Sequence, residues 1–266
     1  MQIGIGLPST TPGADGNLVV EWARRADTGP FRTLGALDRL VYASIDPFAA
    51  LAAAAAVTTR IGLATMVAVG PLRGLGLLAK EAESLGTLSG GRFTLGLGLG
   101  ARHDDYTEAG VDHAGRGPRL SEQLAYLRTH DCEVELLVGG GSGAAFARMA
   151  RYADGYAHGG GPPRAFASAA TKAIAAWHDL GRPGKPTLWG QGYFALGDPD
   201  RGSDYLRDYY AFTGPFAETI AAANLTSARA IKDFVRGYEA EGCDELILFP
   251  TVSDVDEVDR LAEVLA

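Results

Sequence analysis

The sequence predicts an α/β fold, a (β/α)8 barrel. Three observations carry this. Short apolar runs alternate with helical segments from one end to the other, eight strand candidates can be counted, and the 266 residues suit one such barrel. A doubly wound open sheet shares the alternation and is the second choice. The count of eight favours the barrel, and no linker divides the chain, so a single barrel domain over residues 1–266 is expected.

The elements follow in order. Gln2 to Leu7 is an apolar strand ending in Pro8 and Ser9, and Leu18 to Arg25 is amphipathic. Phe31 to Leu37 is a second, weaker strand ending in Asp38. Pro47 to Thr58 is an alanine-rich helix, with Asp46 as its N-cap and Pro47 at its first position. Its alanine face suits close helix contact, within the chain or across a dimer. Ile61 to Val69 is the third strand. The helix Leu72 to Leu88, the tight turn Ser89-Gly90-Gly91 and the strand Arg92 to Leu99 follow. Gly117 to His130 is helical. Val134 to Val138 is the fifth strand, Ser142 to Tyr152 a helix, Gly155 to His158 the sixth strand and Pro163 to Leu180 a helix. Thr187 to Leu196 is the seventh strand. Arg201 to Phe212 and Ser227 to Glu241 are helices around a less regular loop. Glu245 to Phe249 is the eighth strand and Val255 to Leu265 the last helix.

Composition narrows the function. The net charge is −8 and the 24 Lys and Arg are scattered, which argues against phosphate-backbone contacts and so against nucleic acid. No apolar run reaches the length of a membrane span. The start, MQIGIGLPS, lacks a basic leader before an apolar core, so a cytoplasmic location is expected. Cys132 and Cys243 form no CxxC, and the five histidines have no metal-binding spacing, so no metal site is expected.

In such a barrel the chemistry sits at the C-terminal ends of the strands. Those ends read Pro8-Ser9, Asp38-Arg39, Thr65-Met66-Val67, Gly98-Leu99-Gly100, Gly139-Gly140-Gly141-Ser142, His158-Gly159-Gly160-Gly161, Gln191-Gly192-Tyr193 and Pro250-Thr251. Two adjacent ends are glycine-rich and each opens a helix. Backbone N–H groups at a helix start, approached closely over glycine, make an anion cradle, so Gly139 to Ser142 with Gly159 and Gly160 form a candidate phosphate site. Tight βα turns with a serine cap are the plainer alternative. His158 is a candidate acid, base or phosphate contact. His103, followed by Asp104 and Asp105, is either a ligand-contacting edge or a polar helix entry. Asp38 is either a carboxylate over the mouth or a loop residue. Arg39 could bind an anion or pair with Asp38. Tyr42, Tyr106 and Tyr193 are rim candidates.

The block RIGLATMVAVGPLR followed by LLAKEAESLGTLSGGRFTLGLGLGARHDDYTEAG resembles the bacterial luciferase-like superfamily of flavin- and deazaflavin-dependent oxidoreductases. LVYASIDPFAALAAAAAVTTRIGLAT and ELLVGGGSGAAFARMARYADGYAHGG are similar to its flanking segments, so the resemblance covers most of Met1 to Gly161. It implies a (β/α)8 barrel that binds reduced FMN or a deazaflavin at its mouth. It also implies that Thr65, Met66 and Val67 form a bulged third strand against the flavin ring, with Met66–Val67 the cis bond. Gly98 and Gly100 then shape the mouth beside that bulge. Gly139 to Ser142 with His158 to Gly160 match the cofactor phosphate site, and Asp38 an acidic position at the second strand end.

Two departures bear on the cofactor. Deazaflavin enzymes of the family often follow that acid with histidine, where this chain has Arg39. They often carry a glutamate where it has Ala101. The family's long insertion before the fifth strand is nearly absent, since Ser121 to His130 runs almost directly into Glu133 to Val138. The expected function is therefore a monooxygenase using molecular oxygen and FMN reduced by a separate flavin reductase, acting on a small organic substrate. Arg39, His103 and His158 are its candidate catalytic contacts. No GxGxxG with a following acid marks a resident nicotinamide domain. Hydride transfer with the deazaflavin coenzyme F-420 is the alternative, and a non-catalytic flavin-binding barrel or partner subunit a third reading. The family resemblance implies a homodimer.

Overall fold

Nine strands form one sheet in the computed structural model, which describes residues 1–130 and 132–266. They are β1 (Gln2–Gly6), β2 (Thr33–Ala36), β3 (Gly62–Thr65), β4 (Ala68–Val69), β5 (Phe93–Gly98), β6 (Glu135–Gly139), β7 (Gly155–Ala157), β8 (Thr187–Phe194) and β9 (Glu245–Pro250). Every named pairing is parallel. β9 pairs with β1, Gly4 opposite Ile247, and β3 pairs with β5, Leu63 opposite Phe93. The sheet thereby closes on itself. β3 and β4 are two parts of one stave, interrupted at Met66 and Val67, so the closed barrel has the eight staves expected of a (β/α)8 fold.

The helices are α1 (Gly16–Thr28), α2 (Pro47–Ala55), α3 (Leu75–Leu88), α4 (His103–Glu108), α5 (Arg116–Thr129), α6 (Gly143–Tyr152), α7 (Pro163–Asp179), α8 (Pro199–Tyr209), α9 (Phe216–Ala222), α10 (Ala228–Ala240) and α11 (Glu257–Leu265), with 3-10 turns at Gly70–Leu72 and Ala211–Thr213. Asp46 caps α2 by accepting from the Phe48 and Ala49 amides at 2.9 and 3.1 Å. Phe48, Ala50, Leu51 and Ala54 of α2 are buried in the shared core, so at least one side of the alanine run packs within the chain.

Apolar side chains form two clusters. The larger lies between the strands and their surrounding helices. The smaller fills the bore with Ala64, Met66, Leu137, Trp189, Ile247 and Phe249, and continues into Tyr205, Leu206 and Tyr209 of α8. Three features are too short in range for periodicity to show. The helices α4 and α9 are too short and polar to show a 3.6-residue pattern, and the apolar run Ile61 to Val69 does not itself show the interruption at Met66 and Val67, which the family resemblance implies as a bulge. No helix among the described residues is long and apolar enough to cross a membrane, and no three of their His, Cys, Asp and Glu side chains gather as a metal site would need.

Candidate active site

A cavity of about 580 Å³ opens at the C-terminal ends of the strands, and most of the residues singled out in the sequence line it. Its floor is the break in the third stave. The Met66–Val67 peptide bond is cis, and both residues face the cavity. The glycines of the next strand explain how this break fits. A Cβ on Gly96 would stand 2.2 Å from the Thr65 carbonyl oxygen, and one on Gly98 2.6 Å from Val67 Cγ2. The alternation FTLGLG is therefore a demand for space: each inward position of β5 beside the break has to lack a side chain. Gly100, with φ of 66°, continues the relief beneath Val69.

Asp38 holds the far side of the break. Its Oδ2 accepts from the Val69 amide at 2.8 Å and from Arg73 Nη1 at 2.6 Å, and Arg73 also donates to Asp46 at 2.8 Å. Asp38 lines the cavity, but this carboxylate oxygen is committed to the protein. Thr65 is wholly buried, its hydroxyl donating to the Gly96 carbonyl at 2.7 Å, and it lies behind the wall rather than in it. The sequence pattern does not expose either commitment, because both partners lie about thirty residues away.

The glycine-rich ends of β6 and β7 form the opposite wall. Gly140 and Gly160 take φ of 125° and 96°, where a side chain is strained. Gly141 and Gly159 have ordinary φ and nothing within 4 Å of a Cβ position, and both line the cavity. Ser142 caps α6, its Oγ accepting from the Ala145 amide at 3.2 Å, so its hydroxyl proton is left to donate outward. Unfilled space over glycine backbone at a helix start, with a spare hydroxyl donor, fits a phosphate group.

His158 stands between this cradle and the bore. Burial pushes its pKa down, favouring the neutral imidazole, against a smaller opposing effect of the Gly160 backbone. Nδ1 lies 3.4 Å from the Tyr156 hydroxyl, and Nε2 is buried without a partner. An orphaned ring nitrogen in a cavity wall is a group that a ligand can satisfy.

Residues 199–222, after β8, supply a cover that the sequence reading did not foresee. Tyr209 and Tyr210 at the end of α8, with Phe212, line the cavity from above. They are held down from several directions. The Tyr210 and Tyr193 hydroxyls are 2.6 Å apart, Tyr205 meets Thr10 at 2.7 Å, Tyr42 donates to Asp208 at 2.7 Å, and Arg102 donates to the Tyr209 carbonyl at 3.0 Å. Arg39 belongs to this assembly. Its guanidinium lies 5.0 and 5.1 Å from the Tyr42 and Tyr209 ring centres, its Nη2 donates to the Val41 carbonyl, and Asp105 stands 3.3 Å from its Nε. Arg39 thus ties the cover to the mouth and pairs with Asp105, not with Asp38. The aromatic run YYAF at the end of a helical segment was the available signal for this cover.

His103 is not brought into the cavity. It begins α4, is exposed and lies with its ring centre 3.6 Å from that of His113. Of the three candidate catalytic residues, the structure places Arg39 and His158 in the cavity lining and leaves His103 outside.

The family resemblance read from the sequence holds: the family model described as luciferase-like monooxygenase matches residues 1–130. Uncharacterized proteins of Mycobacterium tuberculosis and Mycobacterium bovis are 37% identical over 45% of this chain and 49% of their own length. The chain therefore spans about half the length of the curated relatives it matches. Solved structures share the fold along its whole length. An enzyme described as a coenzyme F-420-dependent secondary alcohol dehydrogenase aligns with a TM-score of 0.82 at 16% identity, covering 99% of this chain and 97% of that one. A monooxygenase from Streptomyces bottropensis aligns at 0.77 and 17%, covering 100% and 97%. The oxygenating constituent of a Pseudomonas putida diketocamphane monooxygenase, solved with FMN, aligns at 0.74 and 15%, covering 100% and 96%.

Proposed function

We propose that this chain, an oxidoreductase of the luciferase-like kind by the match over residues 1–130, is a monooxygenase that works with FMN reduced elsewhere and with molecular oxygen. The observation that carries the reading is one continuous cavity, with an unfilled glycine cradle along one wall and the Met66–Val67 break on its floor. In this reading Gly139 to Ser142 with Gly159 and Gly160 hold the cofactor phosphate, and Met66 and Val67, flanked by Gly98 and Gly100, support the flavin ring. The reduced flavin, when bound, supplies two electrons and the site of oxygen activation.

The chain's own residues orient that group and limit water. Asp38 keeps the break in place through the Val69 amide and Arg73. His158, neutral, offers its orphaned Nε2 to the bound ligands as a single proton donor or acceptor. Tyr209, Tyr210 and Phe212 close the mouth over the substrate, and Arg39 fixes Tyr209. One oxygen atom passes to the organic substrate and the other leaves as water.

Hydride transfer with coenzyme F-420 is the second reading. Gly140, Gly141 and Ser142 are exposed, so a cofactor tail continuing past the phosphate has a way out to solvent. One experiment separates the two. The purified protein is titrated anaerobically with reduced FMN and with coenzyme F-420, and oxygen is then admitted with candidate substrates. Tight FMN binding followed by oxygen uptake supports the monooxygenase. Binding of coenzyme F-420 alone overturns it. FMN binding with no product from any substrate would instead favour a flavin-binding partner subunit. The flavin reductase, the homodimer and the cytoplasmic location belong to this proposal and rest on the family resemblance and on sequence.

A further inference from the structure

A second cavity, of about 760 Å³, lies at the opposite end of the barrel from the mouth, where the strands begin. Inward positions near the starts of five staves meet there: Thr33, Thr94, Glu135, Trp189 and Glu245 all line it. Two of these are carboxylates, and neither has an ion-pair partner among the described residues. Among the described residues Glu135 is held by two hydroxyls, accepting from Thr94 at 3.2 Å and Thr187 at 3.4 Å. Glu245 is 7% exposed, and its Oε1 is buried with no hydrogen-bond partner. A buried carboxylate without a countercharge is costly to keep ionised.

The basic residues on the rim do not resolve this. Arg60 donates to the carbonyls of Ala26, Asp27, Gly29 and Phe31, and Arg92 to those of Thr58, Ile61 and Ser89. Both are struts of the loops that enclose the cavity. Glu83 and Glu133 add two more carboxylates at the rim, Cys132 is a thiol kept protonated by burial, and among the described residues Arg32 is the cation whose charge reaches Glu245. A metal ion is a poor match, since no three-ligand cluster is present among the described residues and the space far exceeds an ion. An organic cation matches better, because Trp189 stands in the same wall and indole is the strongest π partner for a cation.

We infer that this N-terminal cavity is a second ligand site, separate from the mouth, which takes a small organic ammonium cation between Glu245 and Glu135 beside the indole of Trp189. Burial, opposed by Thr33 and Arg32 and reinforced by Glu135, raises the Glu245 pKa to about 7. The site is then fully charged only in mildly alkaline solution, and ammonium binding strengthens with pH.

Benzylammonium is the probe, with benzyl alcohol as its uncharged analogue, titrated into the full chain by calorimetry at constant ionic strength. Binding is expected at pH ~8.5. A fall to pH ~5.5 leaves roughly one Glu245 in thirty ionised, so affinity drops about thirtyfold. Glu245→Gln loses at least about tenfold, and so does Glu135→Gln. Saturating FMN does not compete, whatever its own role at the mouth. Equal binding of benzyl alcohol, a flat pH profile, unchanged affinity in folded Glu245→Gln, or no heat of binding would each overturn the inference. Should Glu245→Gln fail to fold, the wild-type pH profile and Glu135→Gln decide.

Discussion

Replacing Gly96 by alanine tests why β5 is built from glycine. The added Cβ falls 2.2 Å from the Thr65 carbonyl oxygen and 3.1 Å from Val67 Cγ1. An ordinary contact needs over 3 Å, so the backbone of the third stave has to retreat by about 1 Å. Overpacking that flexible side chains absorb costs about 1–3 kcal/mol, and here the obstacle is a main-chain oxygen inside a closed barrel, so the upper end applies. For a chain of this length, about 3 kcal/mol corresponds to a fall in Tm of roughly 5 °C. The assay is urea unfolding followed by tryptophan fluorescence, paired with FMN titration of the folded variant. The same retreat moves Met66 and Val67, so FMN affinity falls along with stability. Gly76→Ala, on α3 with no atom within 4 Å of its new Cβ, is the control and is neutral or stabilising. If Gly96→Ala is as stable as the parent and binds FMN equally well, the space argument fails.

The other predictions concern single groups. Asp38→Ala removes the partner of the Val69 amide and leaves the half-buried Arg73 charge short of one counterion, and costs about 3 kcal/mol in urea unfolding. Ser142→Ala loses the cap of α6, worth about 1 kcal/mol, and weakens FMN binding but leaves riboflavin binding unchanged. His103→Ala, outside the cavity, leaves FMN affinity unchanged within error in the same titration. Glu245 has its carboxyl pKa raised in the folded state, so its ionisation opposes folding. Stability is full below pH ~4.5 and is lost as pH rises through about 7, by up to about 3 kcal/mol, and Glu245→Gln removes that slope in unfolding measured across the window.

The eight staves were legible because each is a short apolar run bounded by turn residues, and the parallel closure follows from the intervening helices. The cradle was legible for a local reason: glycine and a capping serine at a helix start declare themselves within four residues. What stayed hidden depends on distant partners. The purpose of Gly96 appears only when Thr65, thirty-one positions earlier in the chain, is set beside it. Asp38 reads as a candidate ligand until Val69 and Arg73 claim it. In the sequence Arg39 reads as an anion contact or a partner of its neighbour Asp38, whereas the fold gives it Asp105 and two tyrosine rings. The short link before the fifth strand removes the cover that the resemblance implies there, whereas Tyr209, Tyr210 and Phe212, after β8, line the cavity from above. Glu135 and Glu245 look like ordinary strand-entry charges until the closed barrel brings them to one cavity.

We propose that the open glycine wall at Gly139 to Ser142 and Gly159 to Gly160 grips a cofactor phosphate. Fluorescence titration of the wild-type protein and of Gly141→Ala with FMN and with riboflavin, which lacks the phosphate, tests it most directly. A phosphate held by backbone N–H groups makes FMN bind at least about tenfold tighter than riboflavin, and the methyl of Gly141→Ala, placed in open space, erases that difference without destabilising the fold. Equal affinity for FMN and riboflavin in the wild type, or an undiminished preference for FMN in Gly141→Ala, would contradict the claim.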